Sequence, residues 1–87
     1  MHLEILTPEK KIFTGDVYGV QLPGITGLFE VLDRAAPLVS ALKEGRVKIL
    51  KDKQYTTLAV VNIHGGFVEV LDNKTTVLAE GADVIEE

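Results

Sequence analysis

Leu22-Pro23-Gly24-Ile25-Thr26-Gly27-Leu28-Phe29-Glu30-Val31-Leu32, continued by Ala36-Pro37-Leu38 and Leu42-Lys43-Glu44-Gly45, is the stretch that decides the fold. Its glycines and prolines punctuate short apolar runs, the pattern of strands separated by specified turns. Proline presets φ and the glycine after it accepts a positive φ, so Pro23-Gly24 predicts a turn. Gly27 closes that loop, and Leu28 to Leu32 reads as the next strand. Just upstream, Tyr18, Val20 and Leu22 share one face of an extended segment, with Gly19 and Gln21 on the other.

The rest of the chain repeats this grammar. Leu3 and Ile5 alternate with His2, Glu4 and Leu6, and Thr7-Pro8-Glu9-Lys10 makes a turn in which Pro8 breaks any ladder. Lys11 to Thr14 is a second short extended piece ending at Gly15-Asp16. From Arg46 to Lys51 the alternation is clean, with Val47 and Ile49 inward and Arg46 and Lys48 outward. Lys51-Asp52-Lys53 is a polar turn, followed by a β-branched and aromatic run from Tyr55 to Ile63. Gly65-Gly66 reads as the opening of a separate strand, Phe67 to Leu71, and Asp72-Asn73 as a hairpin turn into Thr75 to Ala79.

One segment is ambiguous, since Ala35 to Leu42 fits a helical period (35, 38, 39, 42) as well as a strand. Its neighbours are strands and Pro37 suits a helix only at its first turn, which favours strand. The expected class is all-β, a flattened two-sheet β-sandwich of about eight to ten short strands.

Length and composition bound the function. The 87 residues make one domain, 1–87, with a thin stability margin of its own. There is no cysteine to staple it, and two histidines without a ligand motif build no metal cage. Hydrophobic residues are 46% of the chain, so the apolar excess must go into a tight core or a partner face. The longest apolar run, Leu58-Ala59-Val60-Val61, is far below the ~20 residues of a spanning helix. No leader pattern precedes the first strand-like segment, so direct membrane insertion is not expected. Net charge is −4 and the nine basic residues are scattered, which argues against a nucleic-acid groove.

Candidate chemistry is sparse. Leu22 to Gly27 lacks the lysine-serine/threonine ending and the following helix of a phosphate-cradling loop. Glu30 and Asp33 sit in a polar setting rather than as a catalytic carboxylate pair. His64 has no acidic or thiol neighbour in sequence, and Ser40 and Thr7 have no base at motif spacing. No catalytic, cofactor-binding or metal-binding residue is assigned, and no enzyme activity is expected. Phe29 is read mainly as core, and Pro37-Leu38 as a corner equally suited to burial or partner contact.

Three ordered motifs then point to one family. Leu3 to Leu6, Thr7-Pro8 and Phe13-Thr14-Gly15 form the first. The second is the pattern LPGxxGxFGVLPGHAPLxxxLxxG, matched at Leu22, Pro23, Gly24, Gly27, Phe29, Val31, Leu32, Ala36, Pro37, Leu38, Leu42 and Gly45. The third is Gly65-Gly66-Phe67-Val68-Glu69-Val70 with Thr76-Val77-Leu78-Ala79-Glu80. From Leu3 to about Glu80 the chain resembles the N-terminal β-sandwich of F-type ATP synthase epsilon subunits. Two departures stand out: Glu30 where glycine is common, and Asp33-Arg34-Ala35 for the usual Pro-Gly-His.

The resemblance implies a non-catalytic central-stalk (rotor) subunit that binds the gamma subunit and the c-ring of a proton- or sodium-translocating synthase. It implies a peripheral place on the cytoplasmic face of the bacterial inner membrane. Implied contacts to ring or gamma are Thr26, Leu28, Glu30, Asp33, Arg34, Ala35, Ala36, Pro37 and Leu38, with Thr7 and Ser40 facing gamma. Charge reversal at Glu30 or Arg34 is expected to weaken coupling while the domain still folds. The family often adds a C-terminal helical pair; only Gly81 to Glu87 follow Glu80, which reads as a short acidic tail. The expectation is therefore a sandwich-only member with no helical brake, no ATP binding and no cofactor. The alternative is a biotinyl- or lipoyl-type carrier with a modified Lys53, whose flanks Asp52 and Gln54 do not match the usual settings. A carbohydrate-binding sandwich is weaker, since there is no tryptophan and most of the few aromatics are phased inward.

Overall fold

A computed structural model of the chain describes residues 1–86, and the expected strand regions are extended except at residues 35–37 and at Tyr55-Thr56. The strands are β1 (His2–Leu6), β2 (Lys11–Asp16), β3 (Gly19–Gly24), β4 (Gly27–Leu32), β5 (Leu38–Leu50), β6 (Thr57–Leu71), β7 (Lys74–Ala79) and β8 (Ala82–Glu86). They are hydrogen-bonded in the order β2-β1-β7-β6-β5-β3-β4, with β8 added on β6. The two expected sheets are thus two layers of one continuous sheet, folded over a shared β5–β6 ribbon.

That ribbon keeps one register from Leu38↔Val70 to Ile49↔Ala59. The Gly66–Leu71 part of β6 pairs β7, while Val60–Ile63 pairs β8. On β5, Leu42–Leu50 pairs β3. Each long strand therefore serves one layer with one half and the other layer with the other. Expected short strands are here 13 and 15 residues long, because Gly65-Gly66 bends one strand instead of opening a new one. Both glycines have positive φ, 100° and 147°. A Cβ on Gly66 would lie 2.0 Å from the Leu78 carbonyl oxygen, so the two backbones touch where the ribbon bends.

Pro23 and Gly24 lie inside β3, and the reversal falls one step later, at Ile25-Thr26. Proline cannot donate to a ladder. It is accommodated because the β3–β5 pairing slips between Gln21 and Gly24, leaving no bond for its missing N–H to make. Its ring packs on Gly45, where an added Cβ would sit 2.8 Å from the Pro23 Cβ. Asp72-Asn73 is the expected two-residue hairpin, both residues at positive φ as a type I′ turn requires. Residues 35–37 are loop and the strand begins at Leu38. The expected acidic tail, 81–87, instead supplies β8 over Ala82–Glu86; residue 87 lies outside the described residues.

The core is the inward half of each strand. Leu3, Ile5, Val68, Val70 and Val77 of one layer face Val20, Leu22, Val47, Ile49, Val61 and Ile63 of the other, all essentially buried. Phe29 packs against this core from its edge and is partly buried. No buried side-chain polar atom among the described residues lacks a hydrogen-bond partner.

Gly66→Ala is expected to cost about 2–4 kcal/mol, since the new methyl meets backbone that has no rotamer to change. The urea midpoint reads this directly; an unaltered midpoint would show that the ribbon can bend elsewhere.

Candidate functional site

Most of the residues singled out from sequence lie at the β3–β4 hairpin or along the loop from Asp33 to Pro37, which leaves the far end of β4 and runs back to Leu38. At the β3–β4 hairpin, Thr26, Leu28, Leu38 and Ser40 come together with Phe29 around a groove of 280 Å³. Leu28 is 76% exposed there, and Leu38 is partly exposed beside it. Ser40 makes only a long contact, 3.4 Å from its hydroxyl to the Ala41 carbonyl oxygen.

At the other end, the Asp33–Pro37 loop is tied down at its start. The α-ammonium group of Met1 donates to Asp33 Oδ1 at 2.7 Å and to the Val17 carbonyl oxygen at 2.9 Å. Asn73 Nδ2 donates to the same Asp33 oxygen at 3.1 Å, and Asn73 Oδ1 accepts the Arg34 N–H at 2.7 Å. Arg34 has φ 66°, the left-handed region, at the place where the motif has glycine. Ala35 is half-buried against the core, while Ala36 and Pro37 are exposed. The Met1 ammonium, then Asn73, holds the Asp33 carboxyl below its ordinary value.

Glu30 also has work inside the chain. Its Oε2 accepts from Gln21 Nε2 at 2.6 Å and its Oε1 from the Tyr55 hydroxyl at 2.8 Å. These bonds, Gln21 first, lower its pKa, and the same carboxylate pushes the Tyr55 hydroxyl up. Tyr55 in turn tilts against Tyr18, ring centroids 6.3 Å apart. Glu30 thereby ties the β3–β4 hairpin to the β5–β6 turn.

A further surface escaped the sequence reading. Register places Ala41 beside Phe67, Phe67 beside Leu78, and Leu78 beside Leu6, an apolar row crossing four strands on an outer face. Phe67 is 58% and Leu78 52% exposed, and Val39 and Leu71 extend the patch. The row lines a groove of 550 Å³ that Thr7 and Pro8 close at one rim. Thr7 is held there by hydrogen bonds with the Lys10 backbone. The signal was present: Val68 and Val70 point inward, so Phe67 and Leu71 must point out. The assumption that most aromatics are phased inward fails for Phe67 and for the exposed Tyr55.

The remaining candidates stand as follows. His64 has no acidic neighbour in sequence, but the fold sets Asp83 Oδ2 3.2 Å from its Nε2 and Glu44 Oε2 3.8 Å from its Nδ1. Among the described residues, no three His, Cys, Asp or Glu side chains are grouped to hold a metal ion. Lys53 is exposed in the β5–β6 turn. No helix of the described residues is long and apolar enough to cross a membrane. What the site offers is surface: an apolar face, and a hairpin and loop braced by hydrogen bonds.

Residues 1–84 match the family described as the ATP synthase delta/epsilon chain, β-sandwich domain. The chain is 44% identical to the ATP synthase epsilon chain of Chlorobaculum tepidum, over 90% of this chain and 86% of that one. It is 45% identical to that of Pelotomaculum thermopropionicum, over 98% of this chain but 61% of the relative. Among solved structures, it superposes on a chain of the Tetrahymena thermophila mitochondrial ATP synthase central stalk and c-ring with TM-score 0.77. That match has 17% identity and covers 94% of this chain and 64% of the other. A chain of the Euglena gracilis mitochondrial ATP synthase gives TM-score 0.82 at 19% identity, over 94% and 51%. Both structural matches speak for the fold.

The Asp33 contact predicts a pH signature. Because its folded pKa is lowered, the stabilisation is whole above the unfolded value of about 4 and is lost as pH falls through the folded value. The urea midpoints of wild type and Asp33→Asn should differ by a constant amount from about pH 5 to 7 and draw together as pH falls below about 4. A gap that persists undiminished in acid would mean that the carboxylate charge is not what holds the loop.

Proposed function

The chain belongs to the delta/epsilon-chain β-sandwich family of ATP synthases, and we propose that it is the non-catalytic part of a rotor, seated between the gamma subunit and the c-ring. The observation that carries this reading is the apolar row Ala41–Phe67–Leu78–Leu6 on the outside of a sheet whose inner face is already filled. A large exposed apolar patch in a small soluble fold marks a protein interface. Its burial against gamma supplies most of the binding energy, with Phe67 as the central anchor and Thr7 at the rim.

The ring contact is assigned to the hairpin bearing Thr26 and Leu28, together with Leu38 and the exposed Ala36-Pro37 corner. Glu30, Asp33 and Arg34 then act chiefly by holding that contact surface in shape, because Glu30 and Asp33 bind within the chain and Arg34 takes a strained turn position. Ser40 lines the same groove as Thr26 and Leu28, so it belongs with the ring-side residues at least as much as with gamma. Charged groups at such a rim set register and partner choice more than affinity.

No step of chemistry is needed from the domain. Ion flow turns the ring, and the wedge between ring and gamma transmits torque with little yield, since a close-packed two-layer core resists compression. The domain is thereby placed peripherally on the membrane-bound complex, on its cytoplasmic side in a bacterium.

Phe67→Asp is expected to weaken recovery of the chain with gamma by roughly thirtyfold or more, the effect of losing a hot-spot residue. Its exposed position should leave the urea midpoint near wild type. In reconstituted complexes, Leu28→Asp should lower ATP-driven ion pumping relative to ATP hydrolysis. Stoichiometric recovery of the Phe67 variant together with unaltered coupling of the Leu28 variant would refute the assignment.

A further inference from the structure

The antiparallel ladder of β1 and β2 reaches His2↔Asp16 and then runs one residue further. The Val17 N–H donates to the Met1 carbonyl oxygen at 2.8 Å, and the Met1 nitrogen returns a bond to the Val17 carbonyl oxygen at 2.9 Å. That return bond uses one hydrogen. A second hydrogen of the same nitrogen goes to Asp33 Oδ1 at 2.7 Å, at the start of the Asp33–Pro37 loop. An unacylated α-nitrogen has hydrogens for both bonds, whereas an amide nitrogen carries one. The residue bearing this nitrogen is itself fixed. The Met1 side chain is 1% exposed and packs on the core, and its sulfur lies 3.7 Å from the hydroxyl of buried Thr75.

We propose that the Met1 α-nitrogen is a modification-controlled latch: an Nα-formyl group, the one-carbon acyl cap with which bacterial translation begins, leaves the Asp33 loop open, and its hydrolysis closes the loop. In that hydrolysis water adds to the formyl carbon, the C–N bond breaks, formate leaves and the nitrogen takes up a proton. The agent is an amidohydrolase that accepts a formyl-methionyl chain end. A formylated nitrogen can keep the ladder bond to Val17, which occupies its single hydrogen, and then has none for Asp33. The amide is also neutral, so the Asp33 carboxylate loses a cationic partner together with a donor. The ammonium is the first cause of the lowered Asp33 pKa, in keeping with that role. Without it the carboxylate retains Asn73 Nδ2 at 3.1 Å, and the same Asn73 accepts the Arg34 N–H. One side chain would then brace the carboxylate and the turn alone. On the rotor reading, a capped chain would present its Ala36-Pro37 ring contact poorly, but the latch itself does not depend on that reading.

Chains made by total chemical synthesis with a free, an Nα-formyl or an Nα-methyl Met1 separate the causes. Methylation adds similar bulk but keeps the charge and two N–H groups. At pH 7 the formyl chain should unfold with an equilibrium constant roughly fivefold larger than the free chain, and its Arg34 amide should exchange roughly fivefold faster. The methyl chain should stay within about twofold of the free chain in both measurements. With Asp33→Ala, free and formyl chains should agree within about twofold. Equal behaviour of formyl and free chains overturns the proposal. So does an equal loss in the methyl chain, or a formyl effect undiminished by Asp33→Ala. If the formyl chain does not fold, the methyl chain decides in the same sense. The Met1 peptide of the protein taken from its native host should carry a free amine; an acyl group retained there, or loss of Met1, also overturns the latch. None of these measurements involves gamma or the ring, so their failure leaves the rotor assignment standing.

Discussion

The contact between the Gly66 and Leu78 backbones is the constraint on which the architecture depends. It lies where the β5–β6 ribbon turns from one layer into the other, and only a residue without a side chain allows that approach. Because β5 and β6 stay in one register through the bend, the two layers cannot slide independently. A one-residue slip in either half would carry Val47, Ile49, Val68 and Val70 to the outside together. The core therefore specifies the bend, and the bend fixes which residues reach the core.

Once the layers are set, their open ends must be held, and the chain does this with polar contacts that span the sequence. Asp33 gathers Met1 and Asn73, and Glu30 gathers Gln21 and Tyr55. Both acids are departures, or border departures, from the motif that the chain otherwise follows. Their partners account for them: where glycine and Pro-Gly-His are usual, this chain has carboxylates that brace a hairpin and a loop. Arg34 shows the cost, since a left-handed arginine is disfavoured by about 1–2 kcal/mol relative to the right-handed region. Its N–H bond to Asn73 offsets part of that.

Much of this was legible in the sequence, for identifiable reasons. Alternation is local, so the inward phasing of Val20, Leu22, Val47 and Ile49 followed from period two alone, as did the Asp72-Asn73 hairpin from its residue types. The errors also have local causes. Pro23-Gly24 reads as a turn unless one knows that the neighbouring ladder slips at that point, and that slip is a relation between β3 and β5. Gly65-Gly66 reads as a break because positive φ serves a bend as well as a chain reversal. The pairing of Tyr55 with Glu30, and of His64 with Asp83, joins residues far apart in the chain, which no window of sequence displays. The Phe67 row was different: phasing Val68 and Val70 inward was enough to reveal it, but an aromatic was assumed to be core.

The two outer faces finally differ in a way that the fold alone does not require. One layer turns Phe67, Leu78, Val39 and Leu71 outward; the other turns Arg46, Lys48, Asn62 and His64 outward. A sandwich needs only its inner faces to be apolar, and two polar outer faces would be the simplest soluble solution. Retaining an apolar outer face adds an aggregation risk that a solitary domain has no reason to carry. It is sensible when that face is covered in an assembly. A charged opposite face then keeps the domain soluble before it is captured and gives it one orientation afterwards, because only one side can dock by hydrophobic burial. On the rotor reading proposed above, that single orientation matters more than tight binding: a domain that could seat either way round would transmit torque in neither.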